Sequence, residues 1–168
     1  MSQFAKTFGK NSAFKVLASV ALASLLLIPN NFTHSKIPSE VTELTHQIRK
    51  DINCMAQVIY DEARGEPLYG KIAVAEVVLN RTNVRKLSIC EVINQRKGKV
   101  CQFSGMCKSG TKKVDYESLV ISYNAIVKNS YPIITNGATY FHSKSVSPYW
   151  SKIYVKTIRI GNHTFYKE

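Results

Sequence analysis

The segment from Pro67 to Arg81 limits the possible folds of this chain more than any other. Between Ile72 and Leu79 it is apolar at every position except Glu76. Pro67 suits the first turn of a helix, where its missing N–H group is not needed. A helix that is apolar nearly all round has to be buried. We therefore expect residues 67–81 to form a helix at the centre of the core, with the other elements packed around it.

Two further helices are indicated by apolar residues at helical spacing. The first covers Val41 to Ala63, as one long helix or as two with a break at residues 51–53. The second follows Asp115, a suitable N-cap. Its apolar residues are Tyr116, Leu119, Val120, Tyr123, Ile126 and Val127. Residues 82–114 show no clear periodicity, so we expect a long basic loop there that is functional or cross-linked.

The C-terminal part of the chain has the pattern of strands. Residues 137–143 form a short aromatic segment, and the alternation in residues 152–160 slips near Thr157, as at a β-bulge. Gly161-Asn162 is a two-residue turn signal that predicts a hairpin with residues 163–166. Helices followed by strands favour an α+β domain with a small C-terminal antiparallel sheet.

The N-terminus differs in composition from the rest of the chain. Three lysines and no acid precede an uncharged run from Val16 to Ile28. This run is too short to cross a bilayer comfortably, since roughly 20 residues are needed. A basic start, a short apolar centre and a polar exit are typical of an export signal. A buried core helix is one alternative, and an uncleaved membrane anchor through residues 13–28 is another.

These patterns divide the chain into three parts. We expect a signal peptide or membrane anchor at residues 1–35, a linker or helical lead-in at 36–52, and a folded domain at 53–168. The protein would then be exported to the periplasm or the cell wall. We expect it to be a monomer.

The four cysteines agree with export, because disulfides persist in oxidising compartments. Cys54, Cys90, Cys101 and Cys107 allow three pairings. Cys101 and Cys107 enclose a short polar loop and are the pair we favour, with reduced structural thiols as the alternative. The sequence has no Cys-x-x-Cys and no two histidines at ligand spacing, so we expect neither a metal site nor a cofactor.

The chain is strongly basic, with 23 Lys and Arg against 11 Asp and Glu and a net charge of +12. Such a balance predicts attraction to a polyanion, which is nucleic acid, a lipid surface or an anionic wall polymer. Export removes most nucleic-acid roles, and no nucleic-acid-binding motif is present. We therefore expect an anionic wall or membrane surface as partner, and no nucleic acid.

Three carboxylates, Asp61, Glu62 and Glu66, crowd into six positions at the end of the first predicted helix. Glu62 lies at the edge of the buried face, where partial burial favours the protonated form that a proton donor needs. The alternative is a solvated helix end with a local ion pair. For Glu66 we favour a role at the N-terminus of the next helix, where the dipole stabilises negative charge, over that of a second catalytic carboxylate.

A set of motifs runs through the chain in order from residue 54 to residue 166. They are Tyr60-x-Glu62-Ala-Arg-Gly-Glu66-Pro, Gly70-x-Ile-Ala-Val-Ala-x-Val-Val-Leu-Asn-Arg81, Ile89-Cys90-Glu-Val, Cys101-Gln-Phe-Ser104, Gly137-Ala-Thr139, His142, Pro148-x-Trp150 and Ile160-Gly-x-His163-x-Phe-Tyr166. This series resembles the SleB/CwlJ-type cell-wall hydrolases. The resemblance implies a lysozyme-like or lytic-transglycosylase-like domain that cleaves peptidoglycan, with the first Glu of the motif, here Glu62, as catalytic acid/base.

A single carboxylate is sufficient for a lytic transglycosylase, in which the sugar's own 6-hydroxyl attacks the anomeric carbon. Glu66 beside a water would instead give a lysozyme-like hydrolase, since hydrolysis normally uses two carboxylates. We favour the transglycosylase, cutting the bond between N-acetylmuramic acid and N-acetylglucosamine. An amidase acting on the stem peptide and a noncatalytic cell-wall-binding protein are the alternatives.

Several residues are candidates for binding the glycan. The polar candidates are Glu66, Gln102, Ser104, Thr139, Tyr140 and His142, and the candidates for packing on sugar faces are Phe103 and Trp150. For Phe103 a place in the core is the favoured alternative. The chain departs from the family pattern at Gly105, where members commonly have Trp, and at Tyr140 and Phe141, where they have His and Tyr. These departures concern the sugar-binding groove rather than Glu62.

Overall fold

The computed structural model of the protein describes residues 39–107 and 113–168. The predicted export signal and the candidate anchor at 13–28 lie outside the described residues. Within the described part, no helix is long and apolar enough to cross a membrane. Pro38–Glu168 forms one compact unit. The domain boundaries drawn from the sequence stay predictions.

The helices and turns, in chain order, are α1 (Ser39–Ala63), α2 (Leu68–Arg85), α3 (Ile89–Ile93), a 3₁₀ turn (Ser104–Cys107), α4 (Tyr116–Tyr123) with a π-helical continuation (Asn124–Lys128), and a second 3₁₀ turn (Tyr149–Lys152). The strands are β1 (Arg96–Lys97), β2 (Val100–Cys101), β3 (Tyr140–Ser143), β4 (Val155–Ile160) and β5 (His163–Lys167). Helices therefore come first and the antiparallel sheet last, which confirms the α+β prediction.

Helix α2 is the buried centre that its composition predicts. Pro67 occupies the N-cap position, and the helix ends at Lys86, which adopts the left-handed conformation (φ 56°). Its buried residues are Gly70, Lys71, Ile72, Ala73, Val74, Ala75, Val77, Val78 and Arg81. The helix is one turn longer than the apolar pattern indicates, because it continues beyond Arg81 to Arg85.

Helix α1 is one unbroken helix, which settles the choice that its sequence left open. It passes through residues 51–53 without a break and packs against α2, α3 and α4. Its core-facing residues Met55, Val58 and Ile59 are fully buried. Since Glu62 lies in the last turn, the packing of this face fixes the direction in which its carboxyl group projects.

The expectation of an irregular segment at residues 82–114 was wrong in part, because it contains α3. Ser88 caps this helix by accepting a hydrogen bond from the Glu91 N–H group (3.3 Å), while the Glu91 carboxylate accepts one from the Ser88 N–H group (2.8 Å). Ser-x-x-Glu is the sequence pattern of such a capping box. The start of α3 was therefore readable from the sequence.

Helix α4 begins at the predicted N-cap, Asp115, whose side chain accepts a hydrogen bond from the Ser118 N–H group. The predicted apolar face was wrong, since Tyr116 is 82% and Tyr123 44% exposed. The buried residues of α4 and its continuation are Ser118, Ile121, Ser122 and Ala125. Small side chains let α4 approach α1 closely, and the Ser122 hydroxyl is satisfied by donating to the Ser118 carbonyl (2.7 Å).

The C-terminal sheet has the strand order β3-β5-β4. Its β4–β5 pairing shifts register between Lys156 and Ile158, which confirms the predicted bulge. The hairpin turns at Gly161, where φ is +57°, and Phe165 of β5 is fully buried against the helices.

Two disulfides are present, and no cysteine is free. Cys101–Cys107 is the favoured pair, and it encloses the first 3₁₀ turn. Cys54–Cys90 joins α1 to α3.

Candidate active site

Glu62 is half-buried in the last turn of α1, and the first 3₁₀ turn lies against its carboxyl group. Its Oε1 atom accepts hydrogen bonds from the Ser104 hydroxyl and from the Gly105 N–H group, each at 3.4 Å. Both donors point at the same oxygen. A proton on this carboxyl group is therefore placed on Oε2, which has no hydrogen-bond partner among the described residues.

Gly105 is required for this close approach. A Cβ atom at this position would lie 2.5 Å from Oδ2 and 2.6 Å from Cβ of Asp61, well inside van der Waals contact. A larger side chain does not fit here without a shift of the turn. Gly105 thus lets the turn that binds Glu62 approach the end of α1 closely.

An open groove of about 340 Å³ contains Glu62. Its walls come from the end of α1, from α2, from the β2–3₁₀ segment, from β3 and the loop after it, and from the start of β5. The lining residues are Glu62, Arg81, Cys101, Gln102, Ser104, Phe141, His142, Ser143, Val146, Pro148, Trp150 and His163. Among these residues Glu62 carries the one carboxyl group.

The structure brings half of the candidate binding residues into this groove and leaves the other half outside its lining. Gln102, Ser104, His142 and Trp150 line the groove with Glu62. The four candidates outside the lining are Glu66, Phe103, Thr139 and Tyr140. Phe103 is 1% exposed and belongs to the core, as the favoured alternative had it.

Thr139 and Tyr140 support the groove from behind. The Thr139 N–H group donates to the Tyr166 carbonyl (2.9 Å), and the Thr139 carbonyl accepts from Arg81 Nε (2.6 Å). The Tyr140 ring lies 5.2 Å from that of Trp150 and 4.7 Å from that of Tyr154. These contacts hold Trp150 in the wall.

Glu66 binds the β4–β5 turn and does not cap α2. Its Oε2 accepts from the Asn162 N–H group (2.8 Å), and its Oε1 accepts from the Asn162 side-chain amide (3.1 Å). These hydrogen bonds go to the turn and not to α2, and the favoured role of the Glu66 charge at the N-terminus of that helix stays a prediction. A side chain on Gly161 would overlap the Glu66 carboxylate, so this glycine makes the contact possible.

Two histidines lie in the wall that the sheet contributes. His142 Nδ1 is 2.9 Å from the Ser143 carbonyl and therefore carries the hydrogen, while Nε2 is 3.0 Å from the Tyr166 hydroxyl and accepts from it. His163 is buried, and its Nδ1 atom has no partner among the described residues. Burial lowers the pKa of His163, although the nearby charges of Glu66 and Glu62 act in the opposite direction.

Arg81 and His163 are groove residues that the sequence reasoning quoted in motifs without assigning them a place in the site. A signal for Arg81 was present, since it is the one cation between residues 72 and 81. It follows the apolar run of α2 by two residues and is buried on the same helix. For His163, the alternation of a hairpin strand does not distinguish a groove wall from the core.

A second cavity, of about 420 Å³, lies along another face of α2. Its polar residues include Glu76 and Asn80, which already bind backbone groups. Glu76 accepts from the N–H groups of Ile134 (2.9 Å) and Thr135 (3.0 Å), and Asn80 donates to the Ala138 carbonyl (2.9 Å). These hydrogen bonds anchor the loop before β3, and Glu62 lies in the other, smaller groove.

Comparison with known proteins identifies the family. Residues 65–166, more than half of the chain, match the family model described as Cell Wall Hydrolase. The chain belongs to the cell wall hydrolase family. This confirms the resemblance and the expectation of an enzyme of that class. The matched range begins after Glu62, so the family match does not itself cover the proposed acid.

Curated relatives of this cell wall hydrolase are spore cortex-lytic enzymes. The one from Halalkalibacterium halodurans is 64% identical over 33 residues, which are 20% of this chain and 10% of that protein. The one from Bacillus cereus is 27% identical over 121 residues, which are 71% of this chain and 45% of that protein. The chain thus spans less than half the length of the curated relatives it matches.

A solved structure has the same fold. The catalytic domain of the germination-specific lytic transglycosylase SleB from Bacillus anthracis superposes with a TM-score of 0.59 at 27% identity, covering 70% of this chain and 93% of that one. The lysozyme-like fold expected from the motifs is therefore confirmed. Among the described residues, no group of three or more His, Cys, Asp or Glu is placed to hold a metal ion.

Proposed function

We propose that this cell wall hydrolase is a lytic transglycosylase that cuts peptidoglycan glycan strands between N-acetylmuramic acid and N-acetylglucosamine. One observation carries the proposal: a half-buried carboxyl group, Glu62, is the one carboxyl group in the lining of a groove that also contains Trp150 and Gln102. An aromatic ring suits the apolar face of a sugar, and amide and hydroxyl groups suit its polar edge. The SleB likeness supports the same reaction.

In the first step the protonated Glu62 donates its proton to the glycosidic oxygen. The bond between the anomeric carbon and that oxygen breaks, the leaving sugar departs with a new hydroxyl group, and positive charge develops on the anomeric carbon. The groove would orient the strand so that the scissile oxygen lies near Oε2. This is the oxygen that Ser104 and Gly105 leave unoccupied.

In the second step the 6-hydroxyl of the muramic acid attacks the anomeric carbon. The carboxylate of Glu62 accepts the proton that this hydroxyl loses, so the enzyme returns to its starting state. The product is a 1,6-anhydro end, and no water is consumed. One side chain thus acts first as acid and then as base.

The lysozyme-like alternative needs a second carboxylate beside the attacking water. Glu66 is the candidate that the sequence suggested, but both of its oxygens bind Asn162. It also lies outside the groove lining. The arrangement therefore favours the single-carboxylate reaction.

Glu62→Gln tests the proposal, with Glu66→Gln as the matched control four residues away. Gln keeps the shape of the side chain but supplies no proton, so we expect Glu62→Gln to lower wall lysis by about 10²-fold or more while wall binding persists. Glu66→Gln should keep most of the activity. Turbidity loss of purified walls measures the rate, and mass spectrometry of the released glycan identifies the ends.

The outcomes separate the alternatives. Lysis that survives in Glu62→Gln would remove Glu62 as the acid and leave the amidase or the noncatalytic wall-binding protein. Products with free reducing ends and no anhydro ends would replace the transglycosylase by a hydrolase. Loss of lysis in Glu66→Gln with unchanged stability would make Glu66 a second catalytic carboxylate.

For its location, we propose export to the periplasm or the cell wall. The basic, then apolar, N-terminal sequence and the two disulfides support export. The family description, Cell Wall Hydrolase, agrees with this destination. The net charge of +12 supports attraction to an anionic wall or membrane surface.

A further inference from the structure

Arg81 is a buried cation without an anionic partner. Its side chain is 4% exposed, and its Nε donates to the Thr139 carbonyl at 2.6 Å. Its Nη1 has no hydrogen-bond partner, and in the part of the chain that the structure describes no ion pair joins it to Glu62 or to another carboxylate. Burying an unpaired charge opposes folding. Such a group therefore calls for an explanation in function.

Aromatic rings flank the guanidinium group. Its central carbon lies 4.9 Å from the centre of the Phe103 ring and 5.4 Å from that of Tyr140. Ring faces attract a cation and at the same time keep water away from it. Arg81 is therefore held in place by Thr139 and these two rings, without the help of the carboxyl group in the same groove.

Arg81 remains charged at neutral pH. Burial, with a smaller effect of the neighbouring charge of Arg85, lowers the pKa of Arg81 to about 10, while Tyr140 and Glu62 act in the opposite direction. Glu62 and Arg81 both line the groove. The two groups therefore share one groove and interact electrostatically.

On the basis of the proposed function, we infer that Arg81 is a positioning residue that stabilises the negative charge which Glu62 acquires on giving up its proton. Before proton transfer the cation faces a neutral carboxyl group, and the interaction is weak. During transfer to the glycosidic oxygen a full negative charge forms on Glu62, and the interaction becomes strong. An interaction that grows along the reaction lowers the barrier.

The setting strengthens this effect. The rings and Thr139 fix the guanidinium group before the reaction begins, so no reorganisation is needed when the charge appears. The burial of Arg81 and the half-burial of Glu62 lower the local dielectric constant on their side of the open groove, which raises the interaction energy between the charges. When the 6-hydroxyl later returns its proton to Glu62, the same cation opposes that return, and formation of the anhydro ring has to drive it.

The test is the pH dependence of activity in variants of Arg81. A nearby cation favours the carboxylate, so its loss moves the alkaline limb of the pH–rate profile, where the acid becomes deprotonated, to higher pH. We expect Arg81→Gln and Arg81→Met to move this limb to higher pH and to lower the rate on its acid side by up to about tenfold for each pH unit of that movement. Arg81→Lys keeps the charge and should leave the limb at its wild-type position.

The other ionisable groups near the two side chains are on several elements. Arg85 lies on α2, Tyr140 and His142 on β3, Glu66 in the loop after α1, and His163 on β5. Burial lowers the pKa of His163. Arg85→Gln is the matched control. It removes one positive charge from the same helix at a residue outside the groove, and its profile should match that of the wild type.

Three results would overturn the inference. These are an alkaline limb that stays in place in Arg81→Gln and Arg81→Met, a limb that moves equally in Arg81→Lys, and a limb that moves equally in Arg85→Gln. Circular dichroism establishes that each variant is folded, and Arg81→Gln is decisive if Arg81→Met does not fold. If Glu62→Gln retains lysis, the proposed function fails. If Glu62→Gln is inactive but the alkaline limb stays in place in the Arg81 variants, the proposed function stands and only the role of Arg81 fails.

Discussion

Glu62 and Glu66 lie four residues apart, yet their surroundings give the two carboxyl groups different roles. Glu62 accepts two long hydrogen bonds on one oxygen, and its other oxygen is used by neither Ser104 nor Gly105. Glu66 has both oxygens engaged by Asn162, a residue 96 positions away. Residue type and spacing alone do not separate them. Their hydrogen-bond partners separate them, because a carboxylate whose lone pairs already accept hydrogen bonds is a poor base.

His163 gives a prediction about pH and stability. Burial lowers the pKa of His163. The folded state therefore binds fewer protons than the unfolded state, in which the pKa of histidine is about 6.5. Its contribution to stability is therefore complete at a pH above the pKa of the unfolded state. This contribution is lost as the pH falls through the pKa of the folded state. We expect the free energy of unfolding of the wild type to drop between about pH 8 and about pH 5, and His163→Gln to show a smaller drop.

Urea unfolding at the two pH values measures this difference. His46→Gln is the matched control, because His46 is exposed on α1 and should leave the pH dependence unchanged. An equal drop in the free energy of unfolding in the wild type and in His163→Gln would show that His163 does not contribute to the acid sensitivity.

At the scale of elements, the first 3₁₀ turn and its disulfide form one part of the groove lining. Cys101 and Cys107 join the two ends of this segment, while Gln102 and Ser104 line the groove from it. The Cys54–Cys90 disulfide instead joins α1 to α3 across a sequence separation of 36. One disulfide thus shapes the groove, and the other stabilises the helical core.

The two disulfides should therefore respond differently to removal. Loop-closure entropy predicts a loss of about 4 kcal/mol for Cys54→Ala with Cys90→Ala, and about 2 kcal/mol for Cys101→Ala with Cys107→Ala. Lysis should fall further in the second pair than its loss of stability explains, because Ser104 would no longer be held against Glu62. Chemical unfolding and wall turbidity measure the two effects. Wild-type lysis in the Cys101/Cys107 variant would mean that the turn holds its shape without the disulfide.

At the scale of the whole molecule, the sheet closes the groove onto the helices. Glu66 fixes the β4–β5 turn beside the start of α2, and Arg81 fixes the segment before β3 through the Thr139 carbonyl. Both contacts join residues of the helical half to the C-terminal half. These contacts hold the C-terminal half against the helices that carry Glu62.

The net charge of +12 predicts that the enzyme is attracted to an anionic wall. Screening shortens the range of such attraction to about 10 Å at 0.1 M salt. We expect the rate on purified walls to fall several-fold as salt rises from low to moderate concentration, and the rate on short soluble glycan fragments to change little. Turbidity and product release against ionic strength measure the two rates. A flat response on walls would mean that the positive charge has no part in reaching the substrate.

The local sequence pattern determined a large part of the fold of this protein. The apolar run of α2 required burial, the bulge and the Gly161 turn defined the hairpin, and the Cys101–Cys107 spacing indicated a disulfide, because each depends on neighbours along the chain. The motif around Glu62 indicated the family for the same reason. Each of these features could be predicted before any contact between distant segments was known.

Tertiary structure alone decided the remainder. The partner of Glu66, the face of α4 that is buried, and the place of Arg81 in the groove all depend on segments far apart in sequence. For α4, the close approach to α1 selected small residues over the apolar ones that periodicity favours. Hydrophobic pattern reports which residues avoid water, whereas the packing of distant segments determines which side chains meet. That is why the core could be read from the sequence and half of the groove could not.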